Sequence, residues 1–319
     1  MDTNTIEPIS GNKILLYVNH RDEQESFGWI LKNRGYIEDH IAKNGALLIR
    51  GLAISDAKVF SEILISLFGE ELSAYGNRST PRTELKNNIY TATEYHSSET
   101  IPQHNENSYS NSWPMRIGFL CMVPATEKGN TPIADSRIVY QEIPREIRQE
   151  FEAKKVMYVR NYSKIDLPWQ EVFQTTEKKV VEKYCEANNI ILRWTTNGMQ
   201  TKQITQASIL HPVTKENLWF NQAHLFHVSN LEEELREGLI ALLGIDNIPR
   251  NAYYGDGTTI EDEVLSIIRQ AYEKVKFSFQ WEKQDLLLLD NMLFTHGREP
   301  FVGSREILVG MAREYNPTA

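Results

Sequence analysis

Leu286-Leu287-Leu288-Leu289-Asp290-Asn291 is a continuous apolar run ending on two turn-forming residues, and Met292-Leu293-Phe294-Thr295-His296 follows it. Such a run reads as a buried strand that enters a turn and delivers a histidine beyond it. Working outward, comparable short runs recur at Ala46 to Ile49, Ile89 to Ala92, Met115 to Val123, Ile190 to Trp194, Leu218 to Phe220, Phe277 to Trp281 and Ile307 to Met311. Their spacing suits an antiparallel sandwich or jelly roll better than alternating βαβ units. Three helices are expected between them. One is capped by Ser55, carries a stripe of Val59, Phe60, Ile63, Leu64 and Leu67, and stops at Gly69. A second starts at Asn230, with Leu231, Leu235, Leu239 and Leu242 as its packing face and Gly244 beyond its end; a third starts at Thr259, with Val264, Ile267, Ile268 and Tyr272 repeating. Length at ~150 residues per domain allows two domains. The unbroken β pattern instead predicts one domain over 1–319, mainly β with flanking helices and an N-terminal α/β extension over about residues 1–85.

Composition narrows the function. With 43 acidic and 34 basic side chains the chain carries a net charge of −9, which repels a phosphate backbone and argues against nucleic acid as a partner. No apolar run approaches the ~18 residues needed to span a bilayer, and Met1-Asp-Thr-Asn-Thr5 has no leader pattern, so a cytoplasmic protein without membrane partners is expected. Cys121 and Cys185 lie in apolar stretches without a CxxC spacing and are expected to be reduced core residues.

A histidine two residues from a carboxylate puts two metal donors within reach of one ion. Two matches occur. His20-Arg21-Asp22 precedes a helix-like stretch with Glu25 three residues on, which reads as a capping box. His104-Asn105-Glu106 lies between strand-like segments, where a strand end or turn presents both side chains. His296 is the best third ligand. Two imidazoles and one carboxylate on one face of a metal leave three open positions, as in non-haem Fe(II) oxygenases.

Five ordered blocks now carry a resemblance: Tyr90-Thr-Ala-Thr-Glu-Tyr95, Pro102-Gln-His-Asn-Glu-Asn-Ser-Tyr109, Thr131-Pro-Ile-Ala-Asp-Ser-Arg137, Trp219-Phe-Asn-Gln-Ala-His-Leu-Phe-His227 and Leu288-Leu-Asp-Asn-Met-Leu-Phe-Thr-His-Gly-Arg298. The chain resembles the taurine-dioxygenase-like (TauD/TfdA) Fe(II)/2-oxoglutarate-dependent oxygenases, and within them the SyrP-like subgroup associated with nonribosomal peptide assembly. The resemblance runs from about Ala46 to Met311. It implies a double-stranded β-helix, a cupin-like jelly roll, in which His104, Glu106 and His296 bind Fe(II). It further implies that Thr131 and Arg305 hold the distal carboxylate of 2-oxoglutarate, with O2 as co-substrate, and that Asn221, Gln222 and His224 lie near the substrate. The implied reaction is hydroxylation of an unactivated carbon of an amino acid, free or bound to an acidic carrier protein, in natural-product biosynthesis. Because the family's halogenases replace the carboxylate ligand by a small residue, Glu106 implies oxygen transfer, or hydrogen abstraction without rebound as in desaturation, and not chlorination.

Two other readings remain at this point. A β-sandwich scaffold protein could keep a metal without turnover, though it would not need Thr131 and Arg305 together. A zinc-dependent hydrolase could use the same donors, but has no use for a distal arginine. His224 and His227 sit at i, i+3 spacing and read as a core pair more readily than as a second metal site. Arg78, Arg82 and Lys86 form a basic cluster that reads as a solvated face or as a docking patch for an acidic partner.

Overall fold

The structure is a computed structural model, and it describes residues 5–6, 15–18, 22–73, 83–92, 95–163, 165–196 and 198–317. The leucine run forms the strand Leu286–Asp290, buried along its whole length. Successive side chains of a strand point to opposite faces. Leu287 and Leu289 accordingly join one core with Trp113, Ile117, Phe119, Ile307, Val309 and Met311, while Leu286 and Leu288 join another with Phe60, Ile63, Leu64, Leu67, Ile37 and Ile41. A strand buried on both faces reads as an unbroken apolar run because neither face meets water.

That strand is central in a large sheet. In spatial order its strands are Thr5–Ile6, Leu15–Tyr17, Ala46–Arg50, Leu286–Asp290, Trp113–Val123, Glu306–Tyr315, Ile89–Thr91 and Glu84–Lys86. A small antiparallel sheet, Ile101–His104, Phe294–Arg298 and Ile133–Asp135, packs Phe294 and Ile133 against the first core. The two sheets enclose that core as a jelly roll. The second core fills the opposite face of the large sheet, under helices Arg34–Asn44 and Ala57–Phe68. A third sheet, in the order Ile191–Thr195, Gly198–Thr205, Val156–Tyr162 and Arg250–Tyr254, lies over its own core with helix Asp262–Val275. No helix among the described residues is long and apolar enough to cross a membrane.

Several expectations need correction. The segment 277–281 is not a strand: it pairs with the small sheet at the single bridge Ile133–Phe277. Beyond that bridge its rings take over, Phe279 packing on Trp281 at 4.8 Å while the Trp281 indole turns inward. The helix over 57–68 is capped by Asp56, not Ser55; the Asp56 carboxylate accepts from the backbone N–H of Lys58 at 2.8 Å and Val59 at 2.9 Å. The helix expected from Asn230 begins at Glu233, behind a 3-10 turn, and buries none of its residues. It packs chiefly against the short turns at its own ends, so Leu235 and Leu242 remain exposed. The third helix begins at Asp262, and Leu265 and Ala271 join Ile268 and Tyr272 on its buried face.

Asp22 does cap the helix Glu23–Lys32, accepting from Glu25 N at 2.9 Å; His20 and Arg21 lie outside the described residues, as do Arg78, Arg82 and the side chain of Lys86. Cys121 and Cys185 are buried and free. Burial pushes the first thiol up to about 12 and the second to about 11, so neither supplies a thiolate at neutral pH.

Candidate metal centre

His104 ends the strand Ile101–His104 and is the direct antiparallel partner of His296 on Phe294–Arg298. Their rings lie 4.6 Å apart, centroid to centroid. Glu106 follows on a turn where Asn107 takes the left-handed conformation (φ 57°) that short polar side chains tolerate. The ligand atoms of His104, Glu106 and His296 all lie within 4.8 Å of one another, and His296 Nε2 is 3.7 Å from Glu106 Oε2. That separation is too long for a hydrogen bond. It is close to the ~3 Å between adjacent donors on an octahedral ion with bonds of about 2.1 Å.

His104 Nδ1 lies 2.9 Å from Pro102 O. A carbonyl only accepts, so Nδ1 carries the proton and Nε2 keeps its lone pair for a metal. Two imidazoles and one carboxylate, all oriented to one side, are a donor set that fits Fe(II).

The ligand segment is held from behind by buried amides. Asn291 Oδ1 accepts from Glu106 N at 2.7 Å, and its Nδ2 donates to Glu106 O at 2.9 Å and Pro114 O at 2.8 Å. Gln222 Nε2 donates to Asn105 O at 2.8 Å, and His224 Nε2 donates to Gln103 O at 3.1 Å. His224 also stacks on Tyr272 at 4.5 Å. Burial keeps its imidazole neutral, with a pKa pushed down to about 3. Asn221 turns away, donating to Ala207 O at 2.7 Å. These three residues therefore sit behind the ligand strand, and none lines the pocket in front of it. Among the described residues, His224 and His227 do not converge with a third metal donor.

The pocket in front is lined by His104, His296, Phe119, Ile101, Ala92 and Ile307, together with Thr131, Arg298 and Arg305. Thr131 Oγ1 accepts from Trp281 Nε1 at 3.0 Å and from Arg305 Nη2 at 3.3 Å. Both lone pairs are thereby used, and the threonine O–H is left to donate to an acceptor in the pocket. Arg305 Nε donates to Gly129 O at 2.9 Å. Gly129 has φ 69°, and a Cβ there would come within 3.2 Å of Arg305 Cδ and 2.9 Å of Phe301 Cβ, so the arginine stem passes where a side chain would stand. Burial, together with the like charge of Arg298, pushes the Arg305 guanidinium down to about 10. Such a cation favours an anionic ligand.

Sequence reading missed the parts of Asn291, Trp281 and Arg298. Asn291 was read only as a turn residue, although an amide inside so apolar a run has to be satisfied. Trp281 was counted in a strand. Arg298 donates to the carbonyls of Tyr95 (2.9 Å), His96 (2.7 Å) and Glu99 (2.8 Å), so it fixes the loop beside the pocket.

The sequence profile of the taurine catabolism dioxygenase TauD, TfdA family matches residues 25–312. The chain belongs to this family. Among its relatives, the dapdiamide synthesis protein DdaC of Enterobacter agglomerans is 41% identical over 285 residues, covering 89% of this chain and 86% of DdaC. Among solved structures, AAD-2 in complex with Mn(II) and N-oxalylglycine aligns over 100% of both chains with a TM-score of 0.57 at 12% identity. PvcB of Pseudomonas aeruginosa aligns over 96% of this chain and 89% of its own, with a TM-score of 0.54 at 14% identity. As a TauD/TfdA protein with the jelly roll of that family, the chain is a 2-oxoglutarate-dependent dioxygenase that uses Fe(II), 2-oxoglutarate and O2.

Proposed function

We propose that this oxygenase hydroxylates an unactivated carbon of an amino acid in natural-product biosynthesis, with His104, Glu106 and His296 as the iron ligands and Thr131 and Arg305 as the clamp for the distal carboxylate of 2-oxoglutarate. The observation that carries the reading is the pocket itself, which is lined both by His104 and His296, two of the three converging donors, and by the Arg305 guanidinium with the Thr131 hydroxyl it meets. The 41% identity to a dapdiamide synthesis protein supports the biosynthetic context. The helices of residues 23–68 share a core with the large sheet, which supports reading the chain as one catalytic domain.

Bound Fe(II) with 2-oxoglutarate and O2 supplies the oxidising power that places oxygen on carbon. The chain's own residues hold and shield that chemistry. Pro102 O fixes the His104 tautomer, Asn291 sets the Glu106 backbone, and Gln222 and His224 brace the residues on either side of His104; we assign these last two to positioning instead of substrate contact. Phe119, packed 5.0 Å from the His296 ring, and Ile307 line the pocket with apolar surface that excludes water.

Anaerobic addition of Fe(II) and 2-oxoglutarate is expected to give the weak visible charge-transfer band of a chelated keto acid. No band, with retained zinc and ester hydrolysis, would overturn the assignment of these residues.

A further inference from the structure

His104 and His296 are held in different ways. The ring of His104 is fixed through Nδ1 by Pro102 O at 2.9 Å. The buried Nδ1 of His296, whose Nε2 faces Glu106, has no hydrogen-bond partner among the described residues. Histidine ligands almost always donate their second ring N–H to an acceptor that sets the ring's orientation. Besides contact with the rings of Phe119 and His104, the strand itself is what places His296. The ladder beside it is interrupted. From His296 to Arg298 one strand advances two residues while its partner advances three, from His104 to Ile101, and an extra residue of this kind disrupts pairing locally.

The two strands are tied on the opposite face instead. Successive side chains of a strand point to opposite faces, so Gln103 and Thr295, each one residue before a ligand, lie behind the sheet, and both are buried. Thr295 Oγ1 donates to Gln103 Oε1 at 3.1 Å, with Ala134 O a more distant second acceptor at 3.3 Å, and accepts from Ala134 N at 3.1 Å. Gln103 Nε2 donates to Tyr272 O, in the last turn of helix Asp262–Val275, at 3.3 Å. A carbonyl only accepts, so the amide nitrogen faces Tyr272 and the amide oxygen is left for the threonine hydroxyl. One side-chain bond thus joins the strand of His104 to the strand of His296, and its two ends reach the helix and the third strand of the small sheet. At Gly297 the strands close up: a Cβ there would stand 2.6 Å from Ile101 O and 3.3 Å from Gln103 N.

We propose that the Gln103–Thr295 bond is a clasp that holds His296 in its place beside His104, which makes both polar side chains positioning residues for the metal. The inference rests on the iron-ligand assignment above. Where the ladder is irregular and the ring of His296 has no acceptor of its own, the clasp restricts how far the second imidazole moves from the first. Without it the metal-free site samples a wider range of ligand distances, and the ordering must be supplied on binding at the expense of affinity.

The test titrates the metal-free full-length protein with Mn(II) alone, reading the loss of the free-ion EPR signal, with thermal unfolding of the metal-free protein measured beside it. Thr295→Val keeps the shape and removes the hydroxyl, and it should weaken Mn(II) binding roughly ten-fold. Thr295→Ser restores the hydroxyl and should recover most of that affinity, although it lacks the methyl group and unfolds at a lower temperature than the unaltered protein. A merely structural role would instead rank affinity by thermal stability. Gln103→Met should weaken binding by a similar factor, and the double variant by less than the product of the two single effects, because the shared bond is lost only once. Gln103→Met also decides the question should Thr295→Val not fold. Unchanged affinity in the single variants, a serine variant no better than the valine one, or a double variant equal to the product would each overturn the clasp and leave the three ligands in place. Failure of the unaltered protein to bind Mn(II) would overturn the ligand assignment as well.

Discussion

Arg305 shows how much one side chain can decide. Its Nε is tied to Gly129 O and one Nη to Thr131 Oγ1, so the fork is already oriented before any anion arrives and loses little freedom on binding. Arg305→Ala is expected to raise the KM for 2-oxoglutarate roughly ten- to a hundred-fold, from the ~1.5–3 kcal/mol of a charge-assisted contact. Arg305→Lys should recover part of the charge but not the two-point geometry. Unchanged KM in both variants would move the clamp elsewhere, with Arg298 next in line.

At the scale of elements, the strand Leu286–Asp290 was legible because four leucines buried on both faces leave no polar signal to confuse its reading. The same uniformity cannot set its register, since a slip by one residue exchanges one pair of leucines for the other. Polar residues at its end do that. Asp290 Oδ1 accepts from Met292 N and Leu293 N, and Asn291 clasps both backbone groups of Glu106. Asn291→Ala leaves a buried N–H and buried carbonyls without partners, at a cost of about 1–3 kcal/mol each. It should weaken Mn(II) binding, measured by the loss of free-ion EPR signal, by more than its loss of thermal stability accounts for. A lowered Tm with unchanged Mn(II) affinity would show that Asn291 is structural only. His104 and His296 were legible because their strands had apolar flanks, and their pairing across the small sheet was not, because strand partnership is a long-range property. The segments 277–281 and 233–243 were misread for related reasons. An apolar run does not say whether its backbone will find a partner, and a leucine stripe does not say whether any surface will cover it.

Across the whole molecule, ion pairs link distant parts of the chain, and buried histidines set its response to acid. Glu38, on the helix Arg34–Asn44, pairs with Arg313 near the C-terminal end at 2.6 Å. Arg116, in the large sheet, pairs with Asp290 at 2.5 Å, and His211 Nε2 lies 3.4 Å from the same carboxylate. Arg116→Met would strand a buried carboxylate beside the ligand loop, which is destabilising by ~3–5 kcal/mol and should lower the denaturation midpoint even with metal present. Histidines govern the milder range. Burial holds His227 neutral, with its pKa pushed down to about 4, and His224 down to about 3; an unfolded chain protonates both near 6.5. Above pH 6.5 neither state binds these protons, and the stabilisation is complete. As pH falls below that value the unfolded state gains protons that the folded state refuses, so stability drops by up to about 1.4 kcal/mol per pH unit for each histidine until the folded pKa is reached. His227 Nδ1 accepts from Ser229 N at 3.1 Å, a contact that Asn can supply without titrating. Urea midpoints at pH 7 and pH 5 should therefore differ less for His227→Asn than for the unaltered protein, and equal differences would place the acid sensitivity on other groups.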